Sequence, residues 1–264
     1  MWLPVADIPG RLAKTARIQP CKRVSRQGWR TILNAVYVGG YEGLRTMPAY
    51  HVLYRQSMGR ILSLVHNGNA DTPVPACPGW TVRDTIAHCL GVLTDISAGK
   101  IDDSGKDEWA AGHIERVRDR SLSQITAEWH QRANTTPAAF ETYGNVLLAD
   151  LVTHEFDIKG AIGNTQGRDL PVVRTVALFY LNALDHAWRL YGVSPLQIIT
   201  EDKRIDIGGD EPAANVLMSW WEITRVVSGR RALEQVRALE WNVNPAPWMD
   251  DLFVFGPRDT PLEE

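Results

Sequence analysis

A chain of 264 residues, 44% apolar and 22% charged, can bury a sizeable core without disulfide or metal staples and makes one or two domains. No uninterrupted apolar stretch approaches the roughly 20 residues that span a bilayer, which excludes a membrane helix. The formal net charge of -3 divides unevenly, with eight Lys or Arg against two acids in residues 1–48 and 20 against 29 in the rest; an acidic body repels phosphate and argues against a nucleic-acid partner.

Residues 1–48, with Pro4, Pro9, Pro20 and scattered arginines, lack sustained periodicity and a long apolar run, so the expectation is a basic, disordered leader rather than a secretory signal. A transit peptide shares this composition, but an appended or mis-started segment is the plainer reading, and Met47 is a natural start just ahead of the first helix. Leu53, Tyr54, Met58, Ile61, Leu62 and Val65 fall on one face and predict a helix over 50–65. His66-Asn67-Gly68-Asn69 breaks it, and a proline-rich connector, TPVPACPGW, leads to Thr81-x-x-Asp84, the pattern of a capping box. Val82, Ile86, Cys89, Leu90, Leu93 and Ile96 stripe the helix that follows; His88 falls outside that stripe, but Val92 one turn on extends the apolar arc towards it, a position open to a cleft between packed helices although periodicity alone does not bury it.

After a polar interval from Ser97 to Lys106, residues 107–121 and 122–133 read as helical, anchored by Trp109, Ile114, Val117, Ile125 and Trp129. The run LLADLVTHEFDIKGAIG (147–163) puts Leu147, Leu151, His154, Ile158, Ala161 and Ile162 on one arc, Asp150 at its edge, and Gly163 at the C-terminal cap. A helix over 172–190 completes a mainly helical first domain. Beyond it, 196–200 and 204–207 read as strands, 212–228 as a helix ended by Gly229, and 230–239 as another helix. Trp220-Trp221 read as packing residues. There is no internal repeat.

The chemistry lies in Asp150-x-x-x-His154, which sets a carboxylate and an imidazole one helical turn apart, together with His88. Burying such groups is unfavourable unless they are paired or bound to a cation. The spacing alone is weak evidence: about one of the seven histidines should have an acid four residues earlier by chance, two do, and in the second pair Asp84 is accounted for by capping His88's helix. A histidine on an apolar arc is more often a satisfied core residue than a ligand. The three cysteines, Cys21, Cys77 and Cys89, form no CxxC pair, indicating neither a disulfide framework nor a thiolate zinc ribbon and fitting a reducing cytoplasm. Cys89 reads as an inert core thiol, and neither it nor Cys77 is assigned catalysis. His51, His66, His113, His130 and His186 read as surface or helix-packing residues.

TPVPACPGWTVRDTIAHCLG resembles the opening of the mycothiol-dependent maleylpyruvate isomerase family, a branch of the DinB/YfiT-like metalloenzymes. HEFDIKGAIG resembles that family's second signature, and SGRRALEQV (228–236) its Gly-Arg segment; the resemblance runs with gaps from about Pro48 onward. It implies an antiparallel four-helix bundle (49–192) with a small α/β C-terminal domain (193–264), and a divalent metal, commonly zinc, held by His88, Asp150 and His154. The family usually carries glutamate where Asp150 stands, a side chain longer by roughly 1.5 Å, which is large against the ~0.2 Å tolerance of a metal site. Three protein ligands leave one position open, as in catalytic zinc. The thiol that reacts there is implied to be mycothiol; its thiolate adds to an electrophile, and with maleylpyruvate addition, rotation and elimination give fumarylpyruvate. An arginine from the second domain is expected to clamp substrate carboxylates, Arg230 first and Arg225 next, although salt-bridged roles are the commoner fate of such residues.

The expected protein is therefore mainly α and cytoplasmic, a monomer or homodimer, with an isomerase or thiol S-transferase activity that uses a low-molecular-weight thiol and a small electrophile. The alternatives are a bundle that has lost catalysis and serves as a binding or regulatory module, and metal-assisted hydrolysis with water in place of the thiol.

Overall fold

In the computed structural model, the described residues are 49–100 and 107–264; the expected basic leader lies outside them. Helix α1 spans Tyr50–Leu64, α2 Val82–Ser97, α3 Asp107–Glu115, α4 Leu122–Thr135, α5 Pro137–Ala161 and α6 Pro171–Tyr191. The remaining elements are β1 (Leu196–Ile199), β2 (Arg204–Ile207), β3 (Ala214–Leu217), α7 (Trp220–Val227), α8 (Leu233–Arg237) and β4 (Glu240–Trp241). The fold is mainly α, an antiparallel four-helix bundle followed by a small α/β unit.

Helices α1, α2, α4 and α5 close the bundle in a ring, α5 packing on α1 and α2, and α4 on the other side of both. The first helix buries Tyr54, Ser57, Met58 and Ile61 and stops where Val65 turns extended. The connector folds back as a small hairpin: Val74 N–H donates to Trp80 O (2.9 Å) and Trp80 N–H to Cys77 O (3.0 Å), a turn made possible by Gly79 at φ 84. The expected capping box is present, Thr81 Oγ1 accepting from Asp84 N–H (3.2 Å) and Asp84 Oδ2 from Thr81 N–H (2.9 Å). It makes Thr81, the residue after Trp80, the N-cap of α2 and so holds the indole beside His88, 4.9 Å between ring centroids.

Helix α5 begins ten residues before the apolar arc read from sequence, at Pro137, whose missing N–H does no harm in a first turn. It bends at Tyr143 (φ -125, ψ 19). Beyond the bend Gly144 lies so close to α1 that a Cβ there would meet Tyr50 Cβ at 2.5 Å. From Leu151 to Lys159 every residue is buried, the signature of a central helix enclosed on all sides, and Gly163 ends it at φ 70 as expected. Its charges are met inside: Glu155 accepts from Arg60 (2.7 and 2.8 Å) and from Lys159 Nζ (2.8 Å).

Helix α6 packs on α5 and on α7 and β2, coupling bundle to sheet. The sheet order is β2-β1-β3-β4, with β1 antiparallel to β2 and parallel to β3, and β3 antiparallel to β4. Both expected strands are present, but the helix expected over 212–228 is not: Ala214–Leu217 is a strand of alternating burial paired with β1, and only Trp220–Val227 is helical. Ser219 divides the two, its Oγ accepting from Glu222 N–H (3.0 Å) as the N-cap of α7. The helix expected over 230–239 shortens to Leu233–Arg237. Gly229 does end α7, at φ 78, where a Cβ would sit 2.5 Å from Gly256 O. Trp221 packs between the guanidinium groups of Arg168 and Arg231 (4.0 and 4.9 Å). Among the described residues no helix is long and apolar enough to cross a membrane.

Candidate metal centre

Where α2 crosses α5, His88, Asp150 and His154 meet. Asp150 Oδ1 lies 3.6 Å from His88 Nε2 and 3.6 Å from His154 Nε2, the two rings are 5.0 Å apart between centroids, and the three ligand atoms fall within 4.8 Å of one another. Ligands at about 2.05 Å around a tetrahedral ion are separated by about 3.3 Å, so a small contraction would seat one. Both imidazoles are 6% exposed, while the Asp150 side chain is 26% exposed, so the opening is on the carboxylate's side. Trp80 closes the adjoining wall, its ring 4.9 Å from His88 and 6.0 Å from His154.

What stands behind each imidazole decides which nitrogen faces the centre. His154 Nδ1 is 3.0 Å from Asp157 Oδ2, and a carboxylate held by two guanidinium groups at 2.7 Å is ionised and accepts only, so Nδ1 carries the proton and Nε2 looks toward Asp150. His88 Nδ1 is 3.1 Å from His113 Nδ1, and His113 Nε2 is 3.1 Å from Asp95 Oδ2. Asp95 takes the His113 Nε2–H, which leaves His113 Nδ1 as an acceptor and His88 Nδ1–H as its donor. The two Nε2 atoms and the carboxylate oxygen thus face each other as acceptors at 3.6 Å, too far for hydrogen bonds. Such an arrangement is satisfied by a cation, either a metal or a proton on one imidazole.

The electrostatics agree. Burial pulls His88 below the ordinary histidine value. Burial also opposes charging His154, but Asp150, Asp157 and Cys77 outweigh it and push that imidazole up to about 10. His113 is drawn down to about 4 by burial and by His88, which keeps it neutral. Asp157 would be raised by burial, yet Arg230, Arg225 and His154 hold it well below the carboxylate range.

The arginines expected to clamp substrate both end on Asp157. Arg225 has no exposed side chain; its Nη2 donates to Asp157 Oδ1 (2.7 Å), its Nη1 to Thr153 O (3.2 Å) and its Nε to Glu264 Oε2 (3.0 Å). It therefore braces α5 from the side of α7. Arg230 donates from Nη2 to Asp157 Oδ2 (2.7 Å) and from Nη1 to Ser228 O (2.7 Å), keeps 14% of its side chain exposed, and brings Nη2 to 3.8 Å from Cys77 Sγ. Cys77, His154 and Asp157 also converge within 4.8 Å, with Sγ 3.4 Å from Asp157 Oδ2. That trio is a poor cation site, because both Asp157 oxygens already accept from guanidinium groups.

His113, read from sequence as a surface or packing residue, is 1% exposed and touches His88. Asp157 and Asp95 were also missed. The first had a local signal, an acid three residues after His154 on the same helix; the second had none, since it reaches His88 only through α3. His51, His66, His130 and His186 are exposed. Cys89 is 1% exposed, and burial pushes its thiol well above the ordinary value.

The helical bundle and the small α/β unit together make a DinB-like fold. Residues 54–155 match the family model described as the mycothiol maleylpyruvate isomerase N-terminal domain; this segment runs from α1 through His154 and contains the whole triad. The resemblance to the mycothiol-dependent maleylpyruvate isomerase family expected from the PGW and HEFD motifs is thereby borne out. The chain also has the fold of a crystal structure of the mycothiol-dependent maleylpyruvate isomerase, with a TM-score of 0.51 at 15% identity over 75% of this chain and 94% of that one. A crystal structure of a histidine-to-alanine mutant of the mycothiol-dependent maleylpyruvate isomerase gives a TM-score of 0.49 at 15% identity and the same coverage. No curated protein matches the sequence.

Proposed function

We propose that the chain is a mycothiol-dependent metalloenzyme of the cytoplasm, an isomerase of the maleylpyruvate type or a thiol S-transferase. The observation that carries this reading is the convergence of His88 Nε2, Asp150 Oδ1 and His154 Nε2, three potential ligand atoms within 4.8 Å of one another. Two imidazoles and one carboxylate suit a borderline divalent ion such as zinc. Bound there, such an ion would lower the pKa of an incoming thiol and so make a nucleophile available at neutral pH.

The residues around it divide the remaining work. Asp157 keeps a proton on His154 Nδ1, so that Nε2 stays aimed at the centre. Trp80 shields both imidazoles from water on one side, and the exposed edge of Asp150 marks where thiol and electrophile enter. Arg230 rather than Arg225 has surface to offer a substrate carboxylate, and its positive field already reaches Asp150 and His88. In the isomerase reading the mycothiol thiolate adds to the activated double bond, the new single bond rotates, and elimination returns the thiol with trans geometry. Its partners are then a low-molecular-weight thiol and a small electrophile, with neither nucleic acid nor membrane required.

Turnover of maleylpyruvate followed by loss of its absorbance, with zinc-loaded protein, should require added mycothiol. Arg230→Ala should raise KM for the carboxylate substrate by about 10-fold or more, as expected for a lost charge-assisted contact of about 1.5–3 kcal/mol. Equal turnover without thiol would replace this reading with hydrolysis by bound water. Absence of turnover with maleylpyruvate and with generic electrophiles would leave the non-catalytic binding module.

A further inference from the structure

We infer that Asp95 and His113 form a relay that sets the tautomer of His88, so that its Nε2 lone pair, not an N–H, faces Asp150 and His154. The inference rests on the metal-centre reading for its purpose but not for its geometry. The relay leaves α2 at His88, passes through His113 of α3 and returns to α2 at Asp95. Arg116 grips Asp95 with two parallel bonds, Nη1 to Oδ1 (2.7 Å) and Nη2 to Oδ2 (2.8 Å). Asp95 Oδ2 then lies 3.1 Å from His113 Nε2, and His113 Nδ1 lies 3.1 Å from His88 Nδ1. A clamped carboxylate at one end leaves one order for the protons, with each imidazole passing an N–H outward and turning a lone pair inward.

The fold makes room for this contact deliberately. His113 comes from α3, yet its ring lies across α2 at Gly91, where an added Cβ would sit 2.2 Å from His113 Cγ and 2.5 Å from its Cβ. Gly91 is one turn beyond His88 on the same helix. A glycine inside a helix is unfavourable relative to alanine by roughly 0.5–1 kcal/mol, and here it buys the approach of one imidazole to another. Trp109 packs edge-on against the His113 ring at 4.2 Å between centroids and lies 6.1 Å from that of His88. A histidine there for packing alone would need no ionised partner and no missing Cβ. Outer partners of ligating histidines orient the ring and raise its basicity, and their loss typically weakens metal binding by about 10–100-fold.

The test reads the His88 tautomer by nitrogen NMR of the metal-free full chain, and zinc affinity by chelator competition, in the parent, His113→Leu and His113→Gln. In the parent the His88 proton should reside on Nδ1. In His113→Leu it should move to Nε2, with zinc affinity falling about 10–100-fold. His113→Gln, whose carbonyl can accept from His88 and whose amide can donate to Asp95, should restore both. Gly91→Ala should act like His113→Leu while removing no polar atom. A His88 proton found on Nε2 in the parent, or a tautomer indifferent to His113→Leu, would overturn the relay. A parent that binds no zinc, but whose His88 tautomer still follows residue 113, would defeat the metal reading and leave the relay standing.

Discussion

Asp157→Asn should destabilise the protein by about 3–5 kcal/mol in urea unfolding, the range expected when one member of a buried ionic cluster loses its charge. The substitution keeps the volume, so no cavity contributes. Its effect comes from three charged or ionisable side chains ending on the one carboxylate of Asp157, with Arg225 Nη2 at 2.7 Å, Arg230 Nη2 at 2.7 Å and His154 Nδ1 at 3.0 Å. An asparagine amide must point N–H groups at one of these, leaving two guanidinium groups to share a neutral oxygen. Because Asp157 also fixes the His154 tautomer, zinc affinity should fall in the same variant by about 10–100-fold. A stability loss below about 1 kcal/mol would mean that Arg225 and Arg230 are satisfied by Glu264, Thr153 O and Ser228 O alone.

His154→Ala should have a larger effect on metal and a smaller one on folding. It removes one of three ligands, so the loss in zinc affinity should exceed the roughly 100-fold upper range of outer-partner substitutions, and thiol-dependent turnover should vanish with it. The same change also frees Asp157 from the His154 contact, leaving both arginine contacts in place. Since zinc and a proton compete for the His154 lone pair, affinity in the parent should weaken as the pH is lowered. Chelator competition at several pH values measures both effects. Unchanged affinity in His154→Ala would remove this residue from the centre.

Much of the bundle was legible because its signals are local. The capping box at Thr81 and Asp84, the left-handed Gly163 and the one-turn spacing of Asp150 and His154 each depend on residues within a turn or two. The 212–228 segment failed for a physical reason: a short apolar run such as ANVL fits a helical face and a strand equally, and only pairing with β1, remote in sequence, selects the strand. Arg225 and Arg230 were recognised as second-unit arginines near the site, but nothing in sequence revealed that both converge on Asp157. His113 was invisible for the same reason, since its meaning lies in Gly91 and Asp95 on another helix. Asp150 taught the opposite lesson. Although shorter than the glutamate usual in the family, its Oδ1 lies 3.6 Å from Nε2 of both imidazoles.

Zinc-edge X-ray absorption of the metal-loaded full chain, recorded without added thiol, tests the convergence of these three side chains most directly. The expected first shell holds two imidazole nitrogens and at least one oxygen at about 2.0–2.2 Å, with no sulfur. A sulfur scatterer at about 2.3 Å would move the metal to Cys77, and a chain that retains no zinc would contradict the proposed centre altogether.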